Sequence, residues 1–597
     1  MMDFGYSEEG HQGSLGDLRL WRRILAYASS FRMALVAAVL LSLFLTWATL
    51  AQPYLVQTAI DRYLTAHDME TAARLSGLGW NSLYYGLLIG LVFFATFAQI
   101  LLLEYVGQWV MHRLRQDLFA HLLRLDLPFF NSRRTGQLVT RLTNDIQNMN
   151  EMFTSVIVTL FNDVLRLAGI LALLFSMNPP LAAIMTLFVP LALLITVFFA
   201  RLARECFRDI RSQLAKINSF LSESLAGIAI LQLFHRQNAS RATFFALSEE
   251  YRRRTFTQIK LFGIFMPLTE FLGSAALAII LWYGGGEILQ SRLTLGELVA
   301  FISYMRLFFQ PLRELSQKYS VVQSAMASAE RIFQLLDSKR HIDEPRLPLA
   351  LPDPRGKLEF RGLRFAYDED REVLHGLSLV ITPGQTVALV GTTGSGKSTL
   401  VNLLLRFYQP QEGSILIDDV DISQLSLERL RTVVGVILQD VFILQDSLLA
   451  NIVMDTGRGR EEVEEILCRT GMAAFVARLP QGLDTLIGEG GLELSTGQKQ
   501  LLAFARVLCR NPAILVLDEA TAAIDTESEN ILEQAITDSF RGRTSLVIAH
   551  RLSTIRRADH IVVMAHGLIV EQGSHEELLQ AGGHYARLVA MDLKNGL

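Results

Sequence analysis

The sequence predicts an all-α membrane domain of six transmembrane helices with long cytoplasmic extensions, fused to an α/β domain built around a phosphate-binding loop. Long uncharged stretches fill the first 310 residues, whereas the last 240 carry the frequent charges of an ordinary soluble domain. The string GTTGSGKST at 391–399 fits G-x-x-x-x-G-K-[ST], whose glycines let backbone N–H groups approach a phosphate at a helix N-terminus. At 597 residues the chain is also too long for one compact core.

The composition excludes several classes of protein. The net charge of −4 is small for this length and argues against a nucleic-acid partner. The three cysteines, Cys206, Cys468 and Cys509, are too few and too scattered for a disulfide framework or a metal site. The N-terminus is polar and acidic, so we predict no cleavable signal peptide.

Six spans are predicted from the uncharged stretches. No charged residue occurs in Met33–Ile60 or Leu75–Leu103, and each is longer than the roughly 20 residues that cross a bilayer. The next uncharged run, 167–200, is interrupted by Asn178-Pro179-Pro180, which indicates a hairpin between two spans, so the third helix must begin near residue 157. The fifth and sixth spans are expected at 261–283 and 294–312, divided by the glycine triplet Gly284–Gly286.

The distribution of Lys and Arg predicts the orientation. The segments 1–32, 105–153 and 201–260 hold 21 of these residues, whereas 61–82, 177–180 and 284–295 hold three. Cationic segments stay on the cytoplasmic side, so both termini are predicted to be cytoplasmic.

Two basic segments between spans keep helical periodicity and are expected to extend well beyond the bilayer. Turn-like pieces near 128–136 and 222–236 break them and are the expected contacts with the C-terminal domain. The alternative is solvated helices without a coupling role. Residues 18–30 form a basic amphipathic pattern that we expect to lie along the membrane surface, and the whole membrane domain is assigned to residues 1–336.

Four ionisable residues lie in the interior of predicted spans, where charge is costly. Asp163 and Arg166, at i and i+3, are expected to neutralise one another. Glu270 and Arg306 lie at similar depths in spans five and six, so that they either pair or line a substrate cavity.

A linker at 337–356 with four prolines separates the membrane domain from an α/β domain at 357–597. The aliphatic runs at 386–391 and 514–518 read as buried parallel strands. The first leads directly into the phosphate loop and a helix that begins near Lys397, which is the context that this motif requires.

Two further strings, LSTGQ at 494–498 and ILVLDEATAAID at 514–525, complete a pattern with the phosphate loop. Their order and spacing resemble the ATPase domain of ATP-binding-cassette (ABC) transporters, and with an N-terminal membrane domain the chain resembles a multidrug half-transporter of the type IV exporter family. The resemblance implies ATP and Mg²⁺ as cofactors.

In the family, the phosphate loop and its lysine hold the nucleotide. Carried over to this chain, Lys397 would reach the β- and γ-phosphates, and Ser398, Gln439 and Asp518 would serve the Mg²⁺ ion. The complete set of nucleotide-binding positions implied by the resemblance is Tyr367, Gly391, Thr392, Thr393, Gly394, Ser395, Gly396, Lys397, Ser398, Thr399, Gln439 and Asp518.

The resemblance also implies catalytic and contact roles. Glu519 would be the general base that polarises the attacking water, His550 would contact the γ-phosphate, and Gln439 would link the Mg²⁺ ion to the membrane domain. Tyr367 would stack on adenine, although an isolated tyrosine is otherwise a core residue. The loop at 488–491 resembles the one that exporters press against the crossing cytoplasmic helices.

Two positions depart from the family pattern. In this family the signature acts in trans, so Ser495, Thr496, Gly497 and Gln498 would complete a partner's ATP site. Thr496 stands where glycine is usual, and its branched side chain predicts a weaker site. The loop that follows the catalytic glutamate begins with Ala522 rather than serine and ends with Asp525.

We therefore expect one half of an ABC exporter that couples ATP hydrolysis to efflux of hydrophobic or amphipathic small molecules from a bacterial cytoplasmic membrane. Its partner is a second half-transporter, in a heterodimer or a homodimer. The altered signature beside an intact glutamate favours the heterodimer. The alternatives are a lipid flippase, a peptide exporter, an ATP-gated channel and a regulatory membrane subunit.

Overall fold

The computed structural model describes residues 17–595 apart from 66–68, 340, 341, 343, 369, 370, 455, 489, 519–525 and 549–551. The chain forms two compact units. The first unit comprises the described residues up to Leu123 together with Arg134–Ser338, and the second comprises Arg124–Arg133 together with the described residues from Lys339 onward.

The regular structure of the first unit is helical wherever its residues are described. Its helices are α1 Leu18–Ala28, α2 Arg32–Ala59, α3 Thr71–Leu122, α5 Thr135–Thr140, α6 Ile146–Glu151, α7 Ile157–Met177, α8 Pro179–Ala226, α9 Ile228–Leu233, α10 Gln237–Leu289 and α11 Leu295–Leu336, while the short α4 Leu127–Asn131 belongs to the second unit. Single π-helical turns extend α2 to Leu64 and join α5, α6 and α7 into one run.

Five continuous helical runs within the described residues are long and apolar enough to cross a membrane. They are Leu18–Leu64, Thr71–Leu122, Thr135–Met177, Pro179–Ala226 and Gln237–Leu289. The sixth predicted span falls in α11, whose first half contains Glu297 and Arg306, and this helix is not among the five. Its crossing therefore stays a prediction.

The hairpin between the third and fourth spans lies where the Asn-Pro-Pro turn predicts it. The helix α7 begins at Ile157 and ends at Met177, and α8 begins at Pro179. Asn178 caps α8, since its Oδ1 accepts a hydrogen bond from the Leu181 N–H at 3.0 Å. A proline at the first helical position costs nothing because that N–H has no partner within the helix.

The predicted break at Gly284–Gly286 is wrong. The helix α10 runs through all three glycines to Leu289, and the chain turns at 290–294. Gly284 is buried, and a Cβ added there would lie 2.6 Å from Leu298 Cδ1. Glycine at this position allows close packing of α10 and α11, which outweighs its cost of about 1 kcal/mol in a helix.

The helices of the first unit pack around a shared apolar core. Ile170 of α7, Met185 of α8, Ala276 of α10 and Phe301 of α11 are all buried in it. Large apolar side chains elsewhere on the spans are exposed, among them Phe93, Phe94 and Trp282. Such exposure is the expected condition of surfaces that face lipid.

The second unit is an α/β domain with three sheets. Its strands are β1 Leu358–Asp368, β2 Arg371–Ile381, β3 Thr386–Gly391, β4 Glu412–Ile417, β5 Val420–Asp421, β6 Val434–Ile437, β7 Asp446–Ser447, β8 Leu486–Ile487, β9 Ile514–Asp518, β10 Thr544–Ile548, β11 His560–Ala565 and β12 Leu568–Gly573. The helices that follow α11 are α12 Lys397–Leu404, α13 Leu427–Val433, α14 Leu448–Val453, α15 Arg460–Arg469, α16 Ala473–Val476, α17 Thr496–Arg510, α18 Thr526–Phe540, α19 Leu552–Arg556, α20 His575–Gln580 and α21 His584–Asn595.

The principal sheet has six strands in the order β12-β11-β3-β10-β9-β6, and all neighbours are parallel except β12. Along β3, Val387 and Leu389 join the core shared with α12 and the four-stranded sheet β2-β1-β4-β5. Ala388 and Val390 join the core on the opposite face, which is shared with α14–α17. Strands buried on both faces explain the unbroken aliphatic runs in the sequence.

Candidate functional site

The phosphate-binding loop connects β3 to α12 at the carboxyl edge of the principal sheet. Gly396 caps α12 in the left-handed region at φ 102°, and Ser395 donates its N–H to the Thr392 carbonyl at 3.1 Å. Thr392, Thr393 and Gly394 are exposed. The turn therefore leaves its N–H groups accessible at a helix N-terminus, where an anion is favoured.

Glycine is required at different positions of this loop for different physical reasons. A Cβ on Gly391 would lie 2.2 Å from the Met564 carbonyl oxygen, and one on Gly396 would lie 2.8 Å from Leu374 Cδ2. Gly394, at φ 84°, has open space around it. Two glycines thus allow tight packing behind the loop, and the third allows a backbone conformation that other residues rarely adopt.

Lys397 is folded back over the loop. Its side chain is buried, at 5% exposure, and Nζ donates to the carbonyls of Gly391 at 2.8 Å and Thr392 at 3.1 Å. Burial lowers the pKa of Lys397, and the charge of Asp518 opposes that shift. The ammonium group is therefore held in place with its charge only partly compensated, which is a suitable condition for receiving phosphates.

Three polar side chains that the sequence assigns to Mg²⁺ share this edge of the sheet. Asp518 ends β9, Gln439 follows β6, and Ser398 stands in the first turn of α12. Strands β6 and β9 are parallel neighbours, so their carboxyl ends meet at the same edge. Ser398 and Gln439 are exposed. Their oxygens are of the hard type that Mg²⁺ prefers.

Tyr367 lies near the end of β1, within reach of α12. Its hydroxyl donates to Thr399 Oγ1 at 3.1 Å, and Asn402 Nδ2 donates to the same hydroxyl at 3.4 Å. The ring is 45% exposed, so one part of it remains open to a ligand. The tyrosine is therefore not a core residue.

The signature forms the N-terminus of α17. Ser495 and Gln498 make a capping box, in which the Gln498 N–H donates to Ser495 Oγ at 3.3 Å and the Ser495 N–H donates to Gln498 Oε1 at 2.9 Å. Gly497 is buried, whereas Ser495 and Thr496 are exposed. Thr496 is the first residue of the helix, where a branched side chain meets no preceding helical turn.

Comparison with known proteins decides the family. The model of the ABC transporter transmembrane region matches residues 35–312, and the model described as ABC transporter matches residues 374–522. The chain belongs to the ABC transporter family.

The chain is similar to known ABC transporters and to a solved structure of an ABC exporter. The probable multidrug resistance ABC transporter ATP-binding/permease protein YheH of Bacillus subtilis is 37% identical over 85% of this chain and 75% of that protein. The ATP-dependent lipid A-core flippase of Aromatoleum aromaticum is 40% identical over 82% of this chain and 81% of that protein. A solved bacterial Atm1-family ABC exporter with ATP bound matches with TM-score 0.78 and 30% identity, over 94% of this chain and 99% of that one.

These findings confirm the predicted fold class and ATP-driven export. The chain is a multi-pass ABC exporter that acts in a lipid bilayer, binds ATP and couples its hydrolysis to transport. ABC exporters of this arrangement function as dimers, so a second half-transporter is required.

Several predicted residues of this ABC exporter lie outside the described part of the chain. They are Glu489, Glu519, Ala522, Asp525 and His550. Glu519 directly follows Asp518 at the end of β9, and His550 is the second residue after β10, so both follow strands that end at the edge where the phosphate loop lies.

Within the membrane domain, the predicted pairing of Asp163 with Arg166 is wrong. Asp163 Oδ2 instead binds Lys318 Nζ of α11 at 2.6 Å, and both side chains are at least 85% buried. A buried charge that has lost its hydration requires an opposite charge nearby, and removal of one partner is costly. The two residues predicted for a cavity, Glu270 and Arg306, are exposed and do not form an ion pair with each other.

Sequence reasoning missed two residues that organise the ATPase. Arg506 of α17 and Asn451 of α14 are hydrogen-bonded to each other and to the loop that follows β6. Their separation of 55 residues gives no local signal. Asn402, by contrast, stands one helical turn after Thr399, and helical spacing alone would place both on the face of α12 that meets Tyr367.

Proposed function

We propose that the chain is one half of a dimeric exporter of hydrophobic or amphipathic small molecules, with two ATP sites that lie between the halves. The observation that carries this proposal is the exposed N-terminus of α17. Its Ser495 and Thr496 face solvent beside a helix end that favours an anion, and in this family a partner's nucleotide fills that position.

On the ATP side, Lys397 would release the loop carbonyls and bind the β- and γ-phosphates. Ser398, Gln439 and Asp518 fit Mg²⁺, which when bound would neutralise developing charge on the phosphates. Glu519 would orient the attacking water and accept its proton, and His550 would hold the γ-phosphate. Tyr367 would stack on the base, and Asp525 would contact the partner chain. Positioning and charge stabilisation account for most of such catalysis.

The partner is best explained as a different half-transporter. The chain keeps the residues for a competent site at its own phosphate loop, whereas Thr496 adds bulk to the site that it completes for the partner. A heterodimer with one strong and one weak site follows. Full substrate-stimulated ATPase activity of the purified chain alone would argue for a homodimer instead.

The substrate class rests on the relatives and on the membrane domain. One relative is named as a multidrug resistance transporter and another as a lipid A-core flippase, and both names imply amphipathic cargo. Glu270 and Arg306 are exposed on the single chain, as cavity-lining residues would be. Glu270→Gln and Arg306→Gln should alter which dyes are transported, and transport of all dyes at the wild-type rate would remove both residues from the cavity.

Transport can be tested with inverted membrane vesicles. ATP should drive uptake of a lipophilic cationic dye by wild type, and Glu519→Gln should abolish it. Glu465→Gln, an exposed carboxylate on α15, is the matched control and should transport normally. ATP-dependent dye uptake by the Glu519→Gln variant would contradict the proposed catalytic role.

Two alternatives give different results in the same preparation. A flippase would use ATP to move a fluorescent phospholipid between leaflets and would not transport the dye. A channel would show conductance with a non-hydrolysable ATP analogue. A regulatory subunit would do neither and would hydrolyse no ATP.

We also propose that both termini are cytoplasmic and that the membrane is the bacterial inner membrane. The exposed Cys468 of α15 offers a test, because a membrane-impermeant maleimide should label it only after cells are opened. Labelling of Cys468 in intact cells would show that the C-terminal domain lies outside the cytoplasm and would contradict the proposed orientation.

A further inference from the structure

A short segment that joins two membrane helices packs as part of the ATPase. Residues Arg124–Arg133, between α3 and α5, cluster with the second unit rather than with the helices on either side. Asn131 Nδ2 donates a hydrogen bond to the Tyr408 hydroxyl at 2.8 Å, and Phe129 of the same segment is only 2% exposed. The segment is thus held by a defined polar contact with Tyr408.

Tyr408 belongs to a cluster of three aromatic rings. Its ring stands edge-on to Tyr367, with centroids 4.9 Å apart and planes at 88°, and edge-on to Phe365 at 5.7 Å and 74°. Phe365 and Tyr367 are in edge-on contact themselves at 4.9 Å. Edge-to-face packing at these separations is attractive and directional, so the position of one ring limits the positions of the others.

Tyr367 is the ring of this cluster that we propose to stack on the base. The Tyr367 hydroxyl is held by Thr399 and Asn402 of α12, the helix that begins at the phosphate loop. Its pose therefore depends on α12 at the hydroxyl and on Phe365 and Tyr408 at the ring. Asn131 donates a hydrogen bond to the hydroxyl of Tyr408.

We propose that Tyr408 is a positioning residue that makes the base affinity of this ATP site depend on the docked segment 124–133. The segment fixes the position of Tyr408 through the Asn131 hydrogen bond, and Tyr408 in turn keeps the Tyr367 ring in the pose that accepts a base. Loss of this hydrogen bond would leave the phosphate loop unchanged. The inference rests on the proposed base-stacking role of Tyr367 and adds to it a contribution from the segment 124–133.

The physical basis is preorganisation. A ring that already occupies its binding pose loses less conformational freedom when the base arrives, so ATP binds more tightly. Linkage is reciprocal, so a bound base must strengthen the attachment of the segment by the same factor. Loss of the hydrogen bond from Asn131 would therefore weaken ATP binding without any change in the phosphate loop.

The test measures binding of two ligands to the full-length transporter in lipid nanodiscs by calorimetry. One ligand is a non-hydrolysable ATP analogue, and the other is inorganic tripolyphosphate, which has phosphates but no base. The variants are Tyr408→Phe, which removes only the hydroxyl, Asn131→Ala, and the two combined. Ser132→Ala is the matched control, because the Ser132 hydroxyl bonds within the segment, to the Phe129 carbonyl.

Each single variant should raise the Kd of the ATP analogue about fivefold, the typical effect of one hydrogen bond, and leave the Kd of tripolyphosphate unchanged. The double variant should match either single variant, because both remove the same bond. Ser132→Ala should bind both ligands as wild type does. An unchanged Kd for the ATP analogue in both single variants, additive effects, or an equal effect on tripolyphosphate would overturn the proposal.

Tyr367→Ala separates this proposal from the one on which it rests. It should weaken binding of the ATP analogue alone. If it does so while Tyr408→Phe has no effect, the base site stands and the dependence on segment 124–133 fails. If Tyr367→Ala has no effect on the ATP analogue, the base site itself is wrong.

Discussion

Arg506 and Asn451 join the helix that presents the signature to the loop that carries Gln439. Arg506 Nε donates to the Asn451 carbonyl at 2.6 Å, and Arg506 Nη2 donates to Asn451 Oδ1 at 2.7 Å. Asn451 is fully buried and in turn exchanges two hydrogen bonds of 2.9 Å with the backbone of Leu444. A loop that we propose to belong to one ATP site is therefore attached to the signature that we propose to serve the other site.

This attachment should be sensitive to the shape of the guanidinium group. Arg506→Lys keeps the charge but cannot make the same set of bonds, which include one from Nη1 to the Phe442 carbonyl. We expect a loss of about 2 kcal/mol in unfolding free energy and a larger fall in ATPase rate than in ATP affinity, because the loop would lose its position rather than its contacts with nucleotide.

Thermal unfolding and phosphate release measure these two effects. Arg510→Lys, an exposed arginine at the end of the same helix, is the control and should change neither. A fall in ATP affinity as large as the fall in rate would show that the network supports nucleotide binding directly.

The sequence was sufficient for the features that depend on local pattern. The phosphate loop and the Asn-Pro-Pro hairpin both follow from spacing within a few residues. It was misleading where a local rule competed with packing between distant elements. Proximity at i and i+3 suggested that Asp163 pairs with Arg166, yet a cation 155 residues away on α11 is its partner. The glycine triplet predicts a turn at Gly284, but the structure uses this glycine for close packing against Leu298 of the next helix, which local pattern does not reveal.

The lowered pKa of Lys397 predicts how ATP affinity depends on pH. Burial favours the neutral amine, whereas bound phosphates favour the charged form. Above the lowered pKa and below the usual value of about 10.4, ATP binding must take up a proton, so affinity should fall as pH rises through that window. Below the lowered pKa the amine is charged in both states and no such dependence is expected.

Calorimetry in buffers of different ionisation enthalpy would detect the proton uptake directly. Lys397→Met should bind ATP weakly at every pH and show no uptake from this group. An ATP affinity of wild type that stays constant from neutral to alkaline pH would contradict the prediction.

The ion pair between Asp163 and Lys318 should contribute to the stability of the membrane domain. Asp163→Asn leaves the buried ammonium group without its opposite charge, which costs about 3 kcal/mol in comparable buried pairs. The exchanged pair, Asp163→Lys with Lys318→Asp, should recover part of that loss. Glu104→Gln, at an exposed position on α3, is the control for thermal unfolding in detergent. Equal stability of Asp163→Asn and wild type would show that the pair is not stabilising.

The effect of Thr496 on ATP hydrolysis should arise from its side chain at the partner's nucleotide rather than from a change in helix stability. Thr496 is exposed, and the capping box is made by Ser495 and Gln498, so Thr496→Gly should leave the signature folded at a cost of about 1 kcal/mol in helix stability. In a dimer of the purified chain with itself, in which Thr496 completes both ATP sites, we expect the low ATPase rate to rise by about tenfold, which corresponds to ~1.4 kcal/mol of recovered transition-state stabilisation. Thr496→Ser should give a smaller gain because it removes only the methyl group. Thr496→Val has the same branched shape and should give none. A gain with Val equal to that with Gly would mean that the hydroxyl, and not the bulk, weakens the site.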